Sequence, residues 1–305
     1  MKKQFLRGLW LLLTVFLVVG LTAGCESRST SDSGKGGVVT VGSKNFTENI
    51  IMGEMMAQVI EAKTDLKVNR KLNLGGTLVC WQGLKKGELD FYPDYTGTGL
   101  MAILKRDVIT DPDEVYRIVQ EEYNKQFKIK WLEPFGFNDT YAIAVREEFA
   151  EQNNLKTISD LKPYAKDLIF CAEQEFYNRK DGFPGFSETY GLTFKETKAM
   201  ETSLKYKAVA DKKADVIDAF STDGELISYR MTILEDDKHF FPPYYCAPVV
   251  RMDTLEKYPE LESALNSLGG KISEADMQQM NYLVKEKGED PAKVAADFLK
   301  NKGIL

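Results

Sequence analysis

The sequence predicts an α/β protein of two lobes with a cleft between them, and three observations carry that expectation. The chain has 305 residues, 43% of them hydrophobic, which is ample for a core and long for one layered domain. Short apolar runs alternate with helically spaced ones, the pattern of strands joined by helices. Two distant segments, ELDFYPDYTGTG (88–99) and KADVIDAFSTDG (213–224), share one build: an Asp, a short apolar strand, then a loop bearing Thr and Gly that opens a helix. Ligands of such sheets sit beyond the strand ends, in the connecting loops.

The elements follow in order. Lys2, Lys3 and Arg7 precede an almost unbroken apolar stretch over 9–23, shorter than the roughly 20 residues of a membrane-spanning helix. Residues 1–24 therefore read as a secretory signal. The ending LTAGC resembles a bacterial lipobox, with cleavage before Cys25 and acylation of that Cys. Residues 25–37 are Ser, Gly and charge, a flexible tether. A strand is expected over 38–41 and a turn over 42–47. A helix follows with Thr47 as N-cap, Glu48 in its first turn and Ile50, Ile51, Met55, Val59 and Ile60 on its apolar face. The SKNFT loop thus lies at a helix N-terminus, where free backbone N–H groups collect anions. A strand over 67–74, a helix over 78–86 and a strand over 88–95 complete a parallel unit. Beyond it come a helix over 113–126, strands over 139–145, 167–171 and 214–220, helix and turn over 187–210, and a helical region rich in Lys and Glu over 254–305.

Composition excludes several function classes. There is one histidine, His239, so Ser-His-Asp and Cys-His catalysis and His-based metal sites all have to pass through one residue. Loss of residues 1–24 lowers Lys+Arg from 40 to 37 against 46 Asp+Glu and moves the net charge from −6 to −9, which does not suit nucleic acid or an anionic membrane surface. Apart from Cys25 there are Cys80, Cys171 and Cys246. That odd number permits one disulfide or three free thiols.

Aromatic residues stand at the strand ends: Tyr92, Tyr95, Tyr141, Phe220, Tyr244 and Tyr245. Clustered rings suit a quaternary ammonium, which has no N–H to donate and is held by ring faces worth up to about 2 kcal/mol each when desolvated. Three or four such faces supply most of the roughly 8 kcal/mol that micromolar binding needs.

The runs VGSKNFTE (41–48), LGGT (74–77), DFYPDYTGTG (90–99), NRKDGFPG (178–185), DAFSTDG (218–224) and FFPPYYCAPVVR (240–251) resemble the substrate-binding lipoproteins of ABC importers for osmoprotectants. These proteins bind glycine betaine, choline or carnitine in a type II periplasmic-binding-protein fold. The resemblance implies cage rings at Tyr95, Tyr141, Phe220 and Tyr244, with Tyr92 and Tyr245 as alternates. It also implies carboxylate contacts from Lys44, Thr98 and Arg179, and Asp139 near the cation. Phe220 stands where the family pattern has Tyr, so one hydroxyl is missing. By the same resemblance lobe 1 is 38–138 plus 246–305 and lobe 2 is 139–245, and closure of the lobes completes the cage. A monomer on the extracytoplasmic face is implied, anchored in lipid through Cys25, with a membrane permease as partner and neither cofactor nor metal. Two alternatives stay open. One is a binder of this fold for another amine or an amino acid, the other an extracytoplasmic enzyme using Asp90, Asp94, Asp139 or Glu173 as acid and base.

Overall fold

A computed structural model describes residues 36–179 and 182–305. The expected signal, lipobox and Cys25, the tether up to residue 35, and Lys180 and Asp181 lie outside the described residues. Residues Gly36–Leu305 form one compact unit built on two five-stranded sheets.

The first sheet has the order β2-β1-β3-β10-β4, with β1 Val38–Gly42, β2 Lys67–Lys71, β3 Phe91–Tyr95, β4 Ile129–Trp131 and β10 Cys246–Arg251. The second has the order β7-β6-β8-β5-β9, with β5 Tyr141–Arg146, β6 Ile169–Ala172, β7 Glu196–Ala199, β8 Val216–Phe220 and β9 Met231–Leu234. The expected parallel pairing holds for β1 with β2 and β3 and for β6 with β7 and β8. It fails for β10, antiparallel to β3 and β4, and for β5, antiparallel to β8 and β9. Both are strands that follow a passage from one sheet to the other, and they enter from the opposite end. Strands β4, β7 and β9 are short and lie at or near sheet edges, where propensity gives little signal.

Every residue of β3 is buried because helices cover both faces of the sheet. The side chains of Phe91 and Tyr95 join one apolar cluster and that of Tyr92, of opposite parity, joins the other. Helix α1, Thr47–Lys63, passes through the first cluster. Its expected single apolar face is too narrow a description, since Met52 and Met56 are also fully buried, and the helix Pro291–Asn301 packs on α1 and covers it from another side. Thr47 is not the N-cap. Phe46 holds that position with extended backbone, and no side chain caps it. Instead the Asn49 side chain accepts from Lys44 N at 2.6 Å and donates to Pro93 O at 2.9 Å, tying the SKNFT loop to β3. The expected strand over 67–74 stops at Lys71, and Asn73 turns the chain with φ 58°. Cys80, Cys171 and Cys246 are free and buried, which settles the open choice between thiols and a disulfide.

The chain passes between the sheets along 132–140 and 235–245. These passages run side by side: Asn138 and Tyr245 form an antiparallel bridge, and the Thr140 hydroxyl donates to Pro242 O at 2.7 Å. A third connection comes from the helix Glu274–Lys285, which meets the loop after β8. Gln278 Nε2 donates to Ser221 O at 2.6 Å and Asn281 Nδ2 to Thr222 O at 2.9 Å. At Gly224 a Cβ would stand 2.6 Å from Tyr282 N and 2.8 Å from its Cα, both rigid helix backbone. Gly224→Ala is therefore expected to destabilise the protein by about 1–3 kcal/mol by overpacking, measured as a lower midpoint of chemical denaturation. An unchanged midpoint would mean that this contact yields freely.

Candidate functional site

A cavity of about 700 Å³ lies between the two sheets and is lined from both. Its position follows from strand register. In the β5–β8 pair Tyr141 stands opposite Phe220, so the two rings are cross-strand neighbours and stack at 4.7 Å between centroids and 28° between planes. In the β3–β10 pair Tyr95 stands opposite Cys246. That register brings Tyr95 to the cavity from the first sheet, and Tyr244 reaches it from the returning passage. Tyr244 has room because residue 97 is Gly, where a Cβ would come within 2.8 Å of its ring.

All eight residues expected around a ligand line this cavity: Tyr95, Tyr141, Phe220, Tyr244, Lys44, Thr98, Asp139 and Arg179. Their engagements differ from a simple cage and clamp. The Lys44 ammonium does not stand open at the helix N-terminus but makes a buried ion pair with Asp94 at 2.6 Å and lies 5.0 Å from the Tyr95 ring centroid. The Arg179 guanidinium pairs with Glu175 at 3.1 Å, one helical turn away, and lies 5.8 Å from the centroid of Tyr141. Two resident cations therefore already attend two of the rings. Asp139 accepts from the Thr222 hydroxyl at 2.8 Å, and burial next to Glu48 raises its carboxyl well above the usual carboxylate range.

The two alternates do not line this cavity. Tyr92 is fully buried and donates to Asp94 at 2.7 Å, and neither it nor Tyr245 is part of the cavity wall. Of the carboxylates considered for acid and base work, Asp139 and Glu173 line the cavity, whereas Asp90 accepts from Thr40 N and the Thr254 hydroxyl and Asp94 is consumed by Lys44.

By sequence position Glu48 is only a first-turn acid. In the structure it is a buried wall residue of the cavity. It accepts from Tyr95 Oη at 2.6 Å and from Asn281 Nδ2 at 3.2 Å. Burial pushes its carboxyl up to about 7, against the lowering effect of those hydrogen bonds. Asn281 was not anticipated either, because it comes from a helix 233 residues further along the chain, and no local signal marks such a pairing. Among the described residues no group of His, Cys, Asp and Glu is arranged to hold a metal ion.

Two α/β halves around a ring-lined cavity define a solute-binding protein of the type II periplasmic-binding-protein class. Residues 37–301 match the model of the substrate-binding domain of ABC-type glycine betaine transport systems, and the chain belongs to that family. It is 34% identical over 305 residues to the carnitine transport binding protein OpuCC of Listeria monocytogenes, covering 98% of this chain and 97% of that one. It is also 34% identical over 282 residues to the glycine betaine-binding protein YehZ of Escherichia coli, covering 87% and 90% of the two chains. A solved glycine betaine/carnitine/choline ABC transporter structure superposes with a TM-score of 0.82 at 35% identity, over 86% of this chain and 98% of that one. The protein is thus the extracytoplasmic substrate-binding component of an ABC importer, with a small ligand and a membrane permease as partners.

Proposed function

We propose that the protein captures a quaternary ammonium compatible solute, glycine betaine, choline or carnitine, in an aromatic cage of Tyr95, Tyr141, Phe220 and Tyr244 and presents it to the permease. The observation that carries this reading is that four rings, from the strand ends of both sheets and from the returning passage, line one cavity. Lobe 1, 38–138 plus 246–305, and lobe 2, 139–245, close about the paired passages. Rings of both lobes then surround the cation only in the closed state, so ligand selects that state by differential affinity. No bond is made or broken. The carboxylate of a betaine meets Thr98 and draws Arg179 or Lys44 from their present partners. The mature chain starts at Cys25 and is held to the membrane by lipid on that residue.

Titration calorimetry of the full chain in detergent with glycine betaine, choline, carnitine and glycine tests the ligand class. Saturable binding of a trimethylated ligand with none for glycine is the expected result. Tighter binding of glycine or a primary amine would replace this reading by the amine or amino-acid alternative. Arg179→Ala is expected to weaken glycine betaine much more than choline, because only the betaine carries an anion for the guanidinium. Equal losses for the two ligands would remove Arg179 from the clamp.

A further inference from the structure

Glu48 is a wall residue of the cavity bonded to the hydroxyl of one cage ring. Its one carboxyl connects the two halves of the cavity: Oε1 takes the hydroxyl proton of Tyr95 on β3, and Oε2 meets Asn281 Nδ2, whose amide also reaches Thr222 O in the loop after β8. The Thr222 hydroxyl in turn donates to Asp139. A continuous chain of hydrogen bonds therefore runs from a ring of the first sheet to the loop that follows Phe220 in the second.

The charged and titratable groups around Glu48 come from five directions: Tyr95 on β3, Asp139 at the passage into β5, Asp223 after β8, Cys246 on β10, and the Lys44 ammonium, which lies 5.0 Å from the Tyr95 ring and is paired with Asp94. Asn281 on the 274–285 helix adds a neutral amide. No ion pair to Glu48, Asp139 or Asp223 occurs among the described residues, and the cationic side chains on the cavity wall, Lys44, Arg179 and Lys285, are held by Asp94, Glu175 and Glu225. An ionised Glu48 thus has no cation in ion-pair contact among the described residues. Asn281 meets the carboxyl through its amide N–H, at 3.2 Å from Oε2.

We propose that Glu48 is a positioning residue of the ligand site that supplies the bound cation's counter-charge through Tyr95 and releases its proton to solvent when the ligand arrives. This rests on the quaternary ammonium reading above. The ionised carboxylate pulls on the Tyr95 hydroxyl proton, which leaves more electron density on the ring and strengthens its attraction for a cation. Reciprocally, a cation at the ring favours the carboxylate, so binding and proton release are linked. The sign follows. Burial pushes the Glu48 carboxyl up to about 7, so below that pH binding of the cation is accompanied by loss of its proton. Affinity therefore rises with pH through that range and levels off above it.

The test uses choline and glycine betaine, neither of which titrates between pH 6 and 8, with the full chain. Kd is expected to fall about fivefold from pH 6 to pH 8, the linkage for a bound-state carboxyl about one unit lower than the free one. Calorimetry at pH 6.5 in two buffers of different ionisation enthalpy is expected to show a fraction of a proton released. Glu48→Gln removes both effects. Tyr95→Phe keeps the ring but cuts the relay, so the pH dependence of Kd is expected to shrink, and a pH dependence of full size in that variant would overturn the route through Tyr95. The wild-type measurements stand even if a variant does not fold. Equal affinity at pH 6 and pH 8, or proton release that persists in Glu48→Gln, overturns the proposal while leaving the cage intact. Absence of binding by any trimethylated ligand overturns the proposal together with the reading it rests on.

Discussion

Asp94→Ala is expected to lower the unfolding free energy by about 3–5 kcal/mol, the cost of leaving one member of a buried ion pair without its partner. The Lys44 and Asp94 side chains are 5% and 0% exposed, so the ammonium keeps little solvent contact to offset the lost carboxylate. Asp94 also accepts from Tyr92 Oη at 2.7 Å and from Tyr95 N at 2.9 Å, and both donors lose their acceptor at the same time. Urea denaturation followed by tryptophan fluorescence reads the change. The double variant Lys44→Met, Asp94→Leu is expected to recover part of the loss, because it removes the unpaired charge and fills the space with apolar atoms. A loss below about 1 kcal/mol in the single variant would mean that Lys44 finds another partner, such as the cavity itself.

Tyr141→Leu carries the second large effect. Loss of one desolvated ring face costs up to about 2 kcal/mol of cation binding, roughly a 30-fold rise in Kd. Phe220 amplifies this, since its ring is stacked on Tyr141 and is held in place by that contact. Leu keeps apolar bulk where Tyr141 packs on Phe176 at 5.1 Å, so the loss is expected in affinity with a melting temperature near that of the wild type. Titration with tetramethylammonium isolates the ring term, because that cation has no tail for any polar group. Unchanged affinity in a folded variant would take Tyr141 out of the cage.

Much of the architecture is legible locally. The two strand-and-loop segments at 88–99 and 213–224 end as β3 and β8, each with an aromatic last residue at the mouth of the same cavity. Such segments are readable because an apolar run bounded by Thr and Gly specifies both a buried strand and the loop at its end. Strand direction was less legible. The sequence of β10 is as apolar as that of β1, and nothing within it says that it returns antiparallel beside β3. Edge strands such as β7, with mostly exposed residues, have no period to detect.

What the sequence by itself determined is the kind of element at each position and the rings that stand at the element ends, because both depend on residues within a few positions of one another. Only the tertiary structure decided what each polar group near those rings is bonded to. Lys44 looked like an open cation at a helix start and is bound to Asp94, 50 residues away. Glu48 reads as a first-turn acid and holds a ring hydroxyl on one side and Asn281 on the other. The physical reason is that a buried charge takes its state from whichever partners packing brings within about 3 Å, and those partners are distributed along the chain without any period.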